Sequence, residues 1–151
     1  MIIPKRTTST DNNFQNLVKE LDTELKILDG EDHSFYDQFN KIDSLKYVVV
    51  AYDQDNPVGC GAIKEFAQDT MEVKRMYVLL NKRGQGIATI ILTELENWAR
   101  EVNFKKCILE TGKKQPAAIR LYQKNEYTII PNFSPYEADD NSVCFEKGLT
   151  K

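Results

Sequence analysis

The segment Met71–Ala88 contains the residues of this 151-residue chain best suited to chemistry. Its sequence, MEVKRMYVLLNKRGQGIA, is a strand-like run followed by a short loop of small, polar and basic residues that opens onto a helical pattern. Gly84 and Gly86 allow a ligand to approach the backbone. The first N–H groups of a helix have no partner within it, and the helix dipole adds positive charge there. The segment therefore predicts an anion-binding site, although the two glycines alone would equally fit a simple tight turn.

Two nucleotide-binding signatures do not fit this segment. A dinucleotide fingerprint, G-x-G-x-x-G, requires a glycine where Thr89 stands and a parallel βαβ unit before it. A P-loop requires Gly-Lys followed by Ser or Thr, which the segment lacks. Residues 71–125 carry 11 basic and 5 acidic residues, whereas the whole chain has a net charge of -3. The overall charge argues against nucleic acid as a general partner, since such binding depends on neutralising phosphates.

The spacing of apolar residues predicts the elements that come before this segment. Ile2–Arg6 fits a short strand. A helix is predicted from Asn13, with Asn12 or Asn13 as its N-cap and Gly30 at its end. A second, short helix is predicted over Ser34–Ile42.

Three β-rich runs follow, joined by turns of four or five residues: Tyr47–Tyr52, Val58–Phe66 and Met71–Leu79. Turns this short make the three strands antiparallel neighbours. The remaining elements are predicted as helix Gly86–Val102, strand Lys106–Glu110, helix Pro116–Asn125, strand Tyr127–Ile130 and strand Ser142–Glu146. This order predicts an α/β (α+β) fold with a mixed, mostly antiparallel sheet of six to seven strands and helices on both faces.

The composition predicts a soluble globular protein. Hydrophobic residues make up 41% of the chain and charged residues 28%, without an apolar run near the ~20 residues that span a bilayer. We expect a single domain over residues 1–151, in the cytoplasm, with no membrane partner, because the first ten residues lack the apolar core of a secretory signal. The cysteines Cys60, Cys107 and Cys144 are odd in number and widely spaced, which predicts neither a disulfide framework nor a metal site.

Two motifs resemble those of the GNAT superfamily of acyl-CoA-dependent N-acetyltransferases. Arg83–Ala88 matches the signature R/Q-x-x-G-x-G/A, and Leu109–Tyr127 is similar to a second motif in which a strand leads into a helix bearing a Leu-Tyr pair. Ala88 stands where glycine is commoner, and Glu126 stands where many members have glycine before the aromatic residue. The resemblance covers nearly the whole chain and implies the GNAT fold.

The resemblance also implies acetyl-CoA as cosubstrate, with no metal. In the family, backbone N–H groups of the first motif hold the coenzyme A pyrophosphate. The preceding strand is splayed from its neighbour and pairs with the pantetheine arm, and a main-chain N–H near Val78 polarises the thioester carbonyl. Gln115, at the start of a helix, would border the coenzyme. The implied coenzyme-binding residues are Met76, Val78, Arg83, Gly84, Gln85, Gly86, Ile87, Ala88 and Gln115.

The resemblance implies two catalytic residues. Tyr122 follows Leu121 in the second motif, where the family places the tyrosine that protonates the departing thiolate; without the motif, this residue would be interpreted as core packing. Glu72 lies where some members carry a catalytic base. There are two alternatives to Glu72 as the base. In the first, Glu72 only forms an ion pair with Lys74; in the second, an ordered water acts as the base. Strand alternation predicts that Glu72, Lys74, Met76 and Val78 share one face.

The acceptor is predicted less sharply than the donor. Residues 29–37 (DGEDHSFYD) and 131–141 (PNFSPYEADDN) are both acidic and aromatic. One hypothesis is a small cationic amine held by carboxylates and aromatic faces; the alternative is that these acids are solvated loop residues. His33 is expected to be an ordinary loop histidine. The sequence leaves open whether the protein is a monomer or a homodimer.

The leading interpretation is therefore an N-acetyltransferase that acts on a primary amine, expected to be a small molecule, by direct attack in a ternary complex. Two alternatives remain open. The first is an acyltransferase that uses a longer acyl-CoA, and the second is a non-catalytic, CoA-binding regulatory module.

Overall fold

The computed structural model describes residues 1–29 and 44–149. The predicted helix Ser34–Ile42, the helix end at Gly30 and His33 lie outside these residues. The described strands are β1 Ile2–Thr7, β2 Tyr47–Asp53, β3 Asn56–Ala67, β4 Thr70–Val78, β5 Lys106–Gly112, β6 Thr128–Ile130 and β7 Ser142–Gly148. The described helices are α1 Asn12–Asp29, α2 Ile87–Glu101 and α3 Pro116–Lys124, and a short 3-10 turn spans Leu80–Lys82.

The strands form a seven-stranded sheet in the order β1-β2-β3-β4-β5-β7-β6. The strand pairs are antiparallel except for β4 and β5, which are parallel. This confirms the mixed, mostly antiparallel sheet, and it confirms that the second to fourth strands are antiparallel neighbours. The last strand, β7, lies between β5 and β6.

Helices cover both faces of the sheet, as predicted. On one face, α1 buries Phe14, Leu17 and Val18 against β2 and β3. On the other face, α2 buries Ile91 and Leu95 in a larger cluster, to which α3 contributes Tyr122. The two apolar clusters hold the sheet between the helices, so the sheet is the rigid frame that positions the loops at its edges.

The N-cap of α1 is Asp11, so the prediction of Asn12 or Asn13 was wrong. The Asp11 carboxylate Oδ1 accepts the backbone N–H groups of Asn13 at 2.8 Å and Phe14 at 3.1 Å. A carboxylate can take two of the unpaired N–H groups at the helix start and also favours the positive end of the helix dipole.

The strands β4 and β5 are paired over only three residue pairs, Thr70–Glu72 with Lys106–Ile108. In the described part of the chain they part beyond these pairs, which opens a cleft that we call the β4–β5 cleft. The splayed strand implied by the family resemblance is therefore present.

A β-bulge interrupts β4 just after the strands part. Ala62 pairs with Lys74 and Cys60 pairs with Tyr77, so that Gly61 alone faces both Arg75 and Met76. Arg75 has φ +61°, in the left-handed region. A non-glycine residue in such a conformation costs about 1–3 kcal/mol. Bulges bend a strand and increase its twist, which suits the departure of β4 from β5.

Glu126 also has a left-handed backbone, with φ +73°, directly after α3. This explains why a glycine suits the position.

We expect Glu126→Gly to raise the free energy of unfolding by about 0.5–1 kcal/mol, because relief of the left-handed strain exceeds the added freedom of the unfolded chain. The melting temperature should rise by about 2 °C. Thermal denaturation of Glu126→Ala is the control: alanine keeps the strain, and an equal gain in that variant would contradict the explanation.

Candidate active site

The β4–β5 cleft brings together four of the residues predicted from the sequence. Glu72 and Met76 line it from β4, and Gln115 and Tyr122 line it from the start and middle of α3. On the other side α1 contributes the apolar side chains of Leu21 and Leu25. Val78 lies further along β4, toward the start of α2, and the remaining predicted residues form the loop beyond it and the first two positions of α2.

The free edge of β4 turns two backbone N–H groups toward this cleft. The Cys60 thiol donates to the carbonyl of Arg75, with Sγ and O 3.4 Å apart. Because a trans peptide points its C=O and N–H in opposite directions, the N–H of Met76 faces away from the Cys60 side chain. Leu79 donates its N–H to the Val58 carbonyl at 2.9 Å. Adjacent N–H groups alternate along a strand, so the N–H of Val78, and two residues earlier that of Met76, face away from β3.

The predicted alternation along β4 is wrong. Met71 and Val73, before the bulge, pack in the same cluster as Val78 after it, with Met76 packed against that cluster. Tyr77 packs on the α1 face. The bulge adds one residue and so reverses the alternation. The four residues therefore divide between the faces, with Glu72 and Lys74 opposite to Met76 and Val78.

The loop before α2 and the first two residues of that helix form a group of backbone amides, which we call the amide cradle (residues 83–88). Gly84 and Gly86 have φ of +82° and +81°, and Gly86 is the N-cap of α2. Nothing lies within 4 Å of a Cβ placed on either glycine. The first hydrogen bond of the helix runs from Ile90 N–H to Gly86 O at 3.1 Å. The N–H groups of the first helical residues before Ile90 therefore have no acceptor in the helix. The Arg83 N–H, at the other end of the cradle, donates to the Leu80 carbonyl at 3.5 Å.

The two basic side chains next to the amide cradle are held by carboxylates. Lys82 Nζ lies 3.2 Å from the Asp53 carboxylate. Arg83 Nη2 donates to both carboxylate oxygens of Glu24, at 2.9 and 3.0 Å, and its Nε donates to the Val78 carbonyl at 2.9 Å. Because Asp53 and Glu24 offset these charges, the amides and the helix dipole provide most of the attraction for an anion at the cradle.

Tyr122 is both a core residue and a cleft residue. It is 7% exposed, and its ring centroid lies 5.9 Å from that of Tyr127 and 6.0 Å from that of Phe145. Burial, and to a smaller extent the negative charge of Glu110, raises the pKa of Tyr122 above its usual value of 10. The hydroxyl therefore stays protonated at neutral pH and can donate a hydrogen bond into the cleft.

Glu72 lies at the closed end of the cleft, where β4 last pairs with β5. Its side chain is 14% exposed, and Lys74 Nζ lies 3.6 Å from its carboxylate. Burial raises the pKa of Glu72 above 4.5, and the positive charges of Lys74 and Lys64 oppose that rise. Glu72 therefore forms the ion pair with Lys74 and is at the same time a carboxylate more basic than usual. Glu72 and Met76 are four residues apart, at most about 13 Å along a strand that the bulge at Arg75 shortens, so a water or the substrate would have to bridge them.

The structure adds two cleft residues that the sequence did not single out as functional. Arg75 and Glu110 line the cleft, and Ser142 donates to the Glu110 carboxylate at 2.7 Å. Tyr136, from the acidic and aromatic loop 131–141 that the sequence associates with the acceptor, also lines it. The Leu109–Tyr127 motif contains Glu110, but only the bend of β4 shows that this carboxylate faces the same space as Glu72.

Within residues 1–29 and 44–149, no group of three or more His, Cys, Asp or Glu side chains is arranged to hold a metal ion. Burial raises the pKa of Cys60 and of Cys107 to about 12 and that of Cys144 to about 11. These thiols are therefore protonated at neutral pH and unsuited to nucleophilic chemistry. No helix in the same two ranges is long and apolar enough to cross a membrane.

The sequence of residues 14–127 matches the profile of the family described as "Acetyltransferase (GNAT) family". An IAA acetyltransferase from Azospirillum brasilense is 39% identical over 105 residues, which cover 67% of each chain. A Bacillus subtilis (strain 168) protein named as an uncharacterized N-acetyltransferase, YsnE, is 30% identical over 102 residues, which cover 66% of this chain and 67% of the relative.

Solved structures agree with the sequence matches. A crystal structure from Klebsiella pneumoniae, of a protein classed as an acyl-CoA N-acyltransferase, superposes with a TM-score of 0.83 at 32% identity and covers 99% of both chains. The PaiA N-acetyltransferase from Thermoplasma acidophilum, in complex with coenzyme A, has a TM-score of 0.73 at 16% identity and covers 98% of this chain and 99% of its own. The second similarity concerns the fold alone.

Proposed function

The chain belongs to the GNAT family of acetyltransferases, and we propose that it transfers an acetyl group from acetyl-CoA to a primary amine by direct attack in a ternary complex. The observation that carries this proposal is the continuity of two features. The free edge of β4 runs along the β4–β5 cleft and leads, within a few residues, to the amide cradle at the start of α2. A long ligand with a diphosphate at one end and a thioester at the other suits this arrangement.

In this proposal the amide cradle binds the coenzyme A pyrophosphate through its backbone amides. The residues concerned are Arg83, Gly84, Gln85, Gly86, Ile87 and Ala88. The side chain of Ile87 is buried in the core, which fixes the start of α2 beside these amides. The pantetheine arm pairs with the N–H groups of Met76 and Val78, and Gln115 borders it from α3.

The chemical step needs a donor for the developing oxyanion and a proton for the departing sulfur. The Met76 N–H is the better placed donor, because Met76 lines the cleft. The amine nitrogen bonds to the carbonyl carbon, the C–S bond breaks, and Tyr122 gives its phenolic proton to the sulfur. The proton lost by the amine passes through Glu72 or a water and restores the Tyr122 hydroxyl.

The acceptor is proposed to be a small-molecule amine that carries positive charge. The carboxylates of Glu72 and Glu110 and the ring of Tyr136 all border the cleft, which supports this choice. Glu137 and Asp140, in the same loop as Tyr136 (residues 131–141), are exposed and fit the alternative that these acids are solvated loop residues. The acidic segment 29–37 falls mostly outside the described residues, and no side-chain contact is assigned to it.

A panel of alkyl amines separates the proposed enzyme from the two alternatives. Release of free thiol from acetyl-CoA on any amine supports acetyl transfer, and faster release from propionyl- or succinyl-CoA would favour a longer acyl donor. Thermal stabilisation by acetyl-CoA, with no thiol release on any amine or peptide, would favour a regulatory module. The positions of Tyr122 and Glu72 in one cleft support the enzyme.

Gly86→Ala should weaken coenzyme A binding at least tenfold. The added methyl group points into the open space where the pyrophosphate is proposed to lie, and alanine disfavours the left-handed φ. Isothermal titration calorimetry measures the effect. Gly148→Ala is the matched control, because a Cβ there also meets nothing within 4 Å but lies at the end of β7. Equal affinities for the two variants would contradict the cradle.

Tyr122→Phe should lower kcat at least tenfold and leave the dissociation constant for coenzyme A nearly unchanged, since only the donated proton is lost. Steady-state kinetics and calorimetry measure the two quantities. Tyr47→Phe, in a half-buried tyrosine packed against Trp98, serves as the control for loss of a hydroxyl. A Tyr122→Phe enzyme with unchanged turnover would remove Tyr122 from the mechanism.

The pH profile of kcat/KM should show an acidic limb with a midpoint above 4.5. Glu72 must be deprotonated to accept a proton, and burial raises its pKa, so activity rises with pH through that raised value. In Glu72→Gln this limb should disappear and the rate should fall. A Glu72→Gln enzyme that keeps the limb would assign the base to an ordered water.

A further inference from the structure

The bulge in β4 contains an arginine that makes an unusual pair of contacts. The Arg75 side chain is 2% exposed, and its Nη1 donates to the Asp22 carboxylate of α1 at 2.9 Å. On the backbone side, the Arg75 carbonyl accepts the Cys60 thiol of β3. The residue is therefore tied at once to the helix on one face of the sheet and to the neighbouring strand.

These contacts act on a backbone conformation that arginine does not favour. With φ +61°, the position would suit glycine, and the strain must be offset by the surroundings. The direction of the Arg75 carbonyl fixes the direction of the next N–H, because the two belong to one planar peptide. That N–H belongs to Met76, the proposed oxyanion donor.

Stability alone does not explain a guanidinium at this position. Within the part of the chain that the structure describes, the Arg75 Nε is buried and has no hydrogen-bond partner. An ion pair whose arginine is buried often adds less stability than well-packed apolar side chains would, and an unpartnered buried N–H adds a further penalty. The pair is better explained by what it holds in place.

We propose that Arg75 is a positioning residue for acyl transfer: its ion pair with Asp22 holds the left-handed bulge that directs the Met76 N–H into the β4–β5 cleft. This inference rests on the proposed function for its kinetic consequence. Its structural consequence, the orientation of the Met76 amide, is independent of whether the protein transfers an acetyl group.

Asp22→Asn tests the ion pair. Asparagine has nearly the same size and shape as aspartate, so the substitution removes the charge at this 41% exposed side chain without leaving a cavity. The control is Glu20→Gln, which removes a negative charge from an exposed position of the same helix. Without ligand, the backbone amide resonances of Met76 and Tyr77 should shift more in Asp22→Asn than in Glu20→Gln. With acetyl-CoA and 1,3-diaminopropane, kcat should fall at least fivefold in Asp22→Asn, and the KM for acetyl-CoA should stay within twofold.

Arg75→Gly and Arg75→Ala test the backbone conformation separately from the side chain. Both remove the guanidinium, but only glycine adopts a positive φ without strain. After kcat is divided by the fraction of folded protein in each sample, the value for Arg75→Gly should exceed that for Arg75→Ala at least threefold. Equal kcat in these two variants, or unmoved amide resonances in Asp22→Asn, would overturn the inference. Should the wild-type protein release no thiol on any amine, the proposed function fails, and the amide resonances alone decide the role of Arg75.

Discussion

The structure depends on the separation of two parallel strands, which leaves backbone amides without sheet partners. A buried N–H without an acceptor costs about as much as a lost hydrogen bond, so an open strand edge must be wet or covered by a ligand. β4 meets this constraint by pairing with β5 at Thr70–Glu72 and turning its next amides to the cleft. The rest of the fold supports this gap: β3 fixes one side of β4, and α1 and α3 enclose the opening.

Much of the fold follows from short-range patterns in the sequence. The turns between β2, β3 and β4 are too short for any other connection, and the spacing of apolar residues placed α2 and α3 within a few residues of their observed bounds. The amide cradle was also predictable, because Gly84 and Gly86 are needed for a local conformation that a contiguous motif records. Such features depend on neighbours in the chain, which the sequence shows directly.

Other features depend on contacts between distant residues, and these were missed. The bulge falls on an arginine rather than a glycine, so the residue type at position 75 does not indicate that the alternation of β4 changes there. The residue that forms an ion pair with Arg75, Asp22, lies more than 50 residues earlier in the chain. The ion pairs of Lys82 with Asp53 and of Arg83 with Glu24 likewise join residues that are distant in the sequence. Charges that seemed available to an anion are partly offset by acids from separate elements, which only the folded arrangement reveals.

The burial of the cysteines has a practical consequence for enzymology. All three cysteines lie on strands of the sheet with their thiols buried, and burial raises the pKa of each thiol to about 11 or 12. The thiolate attacks disulfide reagents such as Ellman's reagent, so the reaction requires both ionisation of the thiol and access of the reagent to it. The native protein should therefore give a low and slow background in a colorimetric reading of liberated coenzyme, so the reaction can be followed continuously without replacing any cysteine.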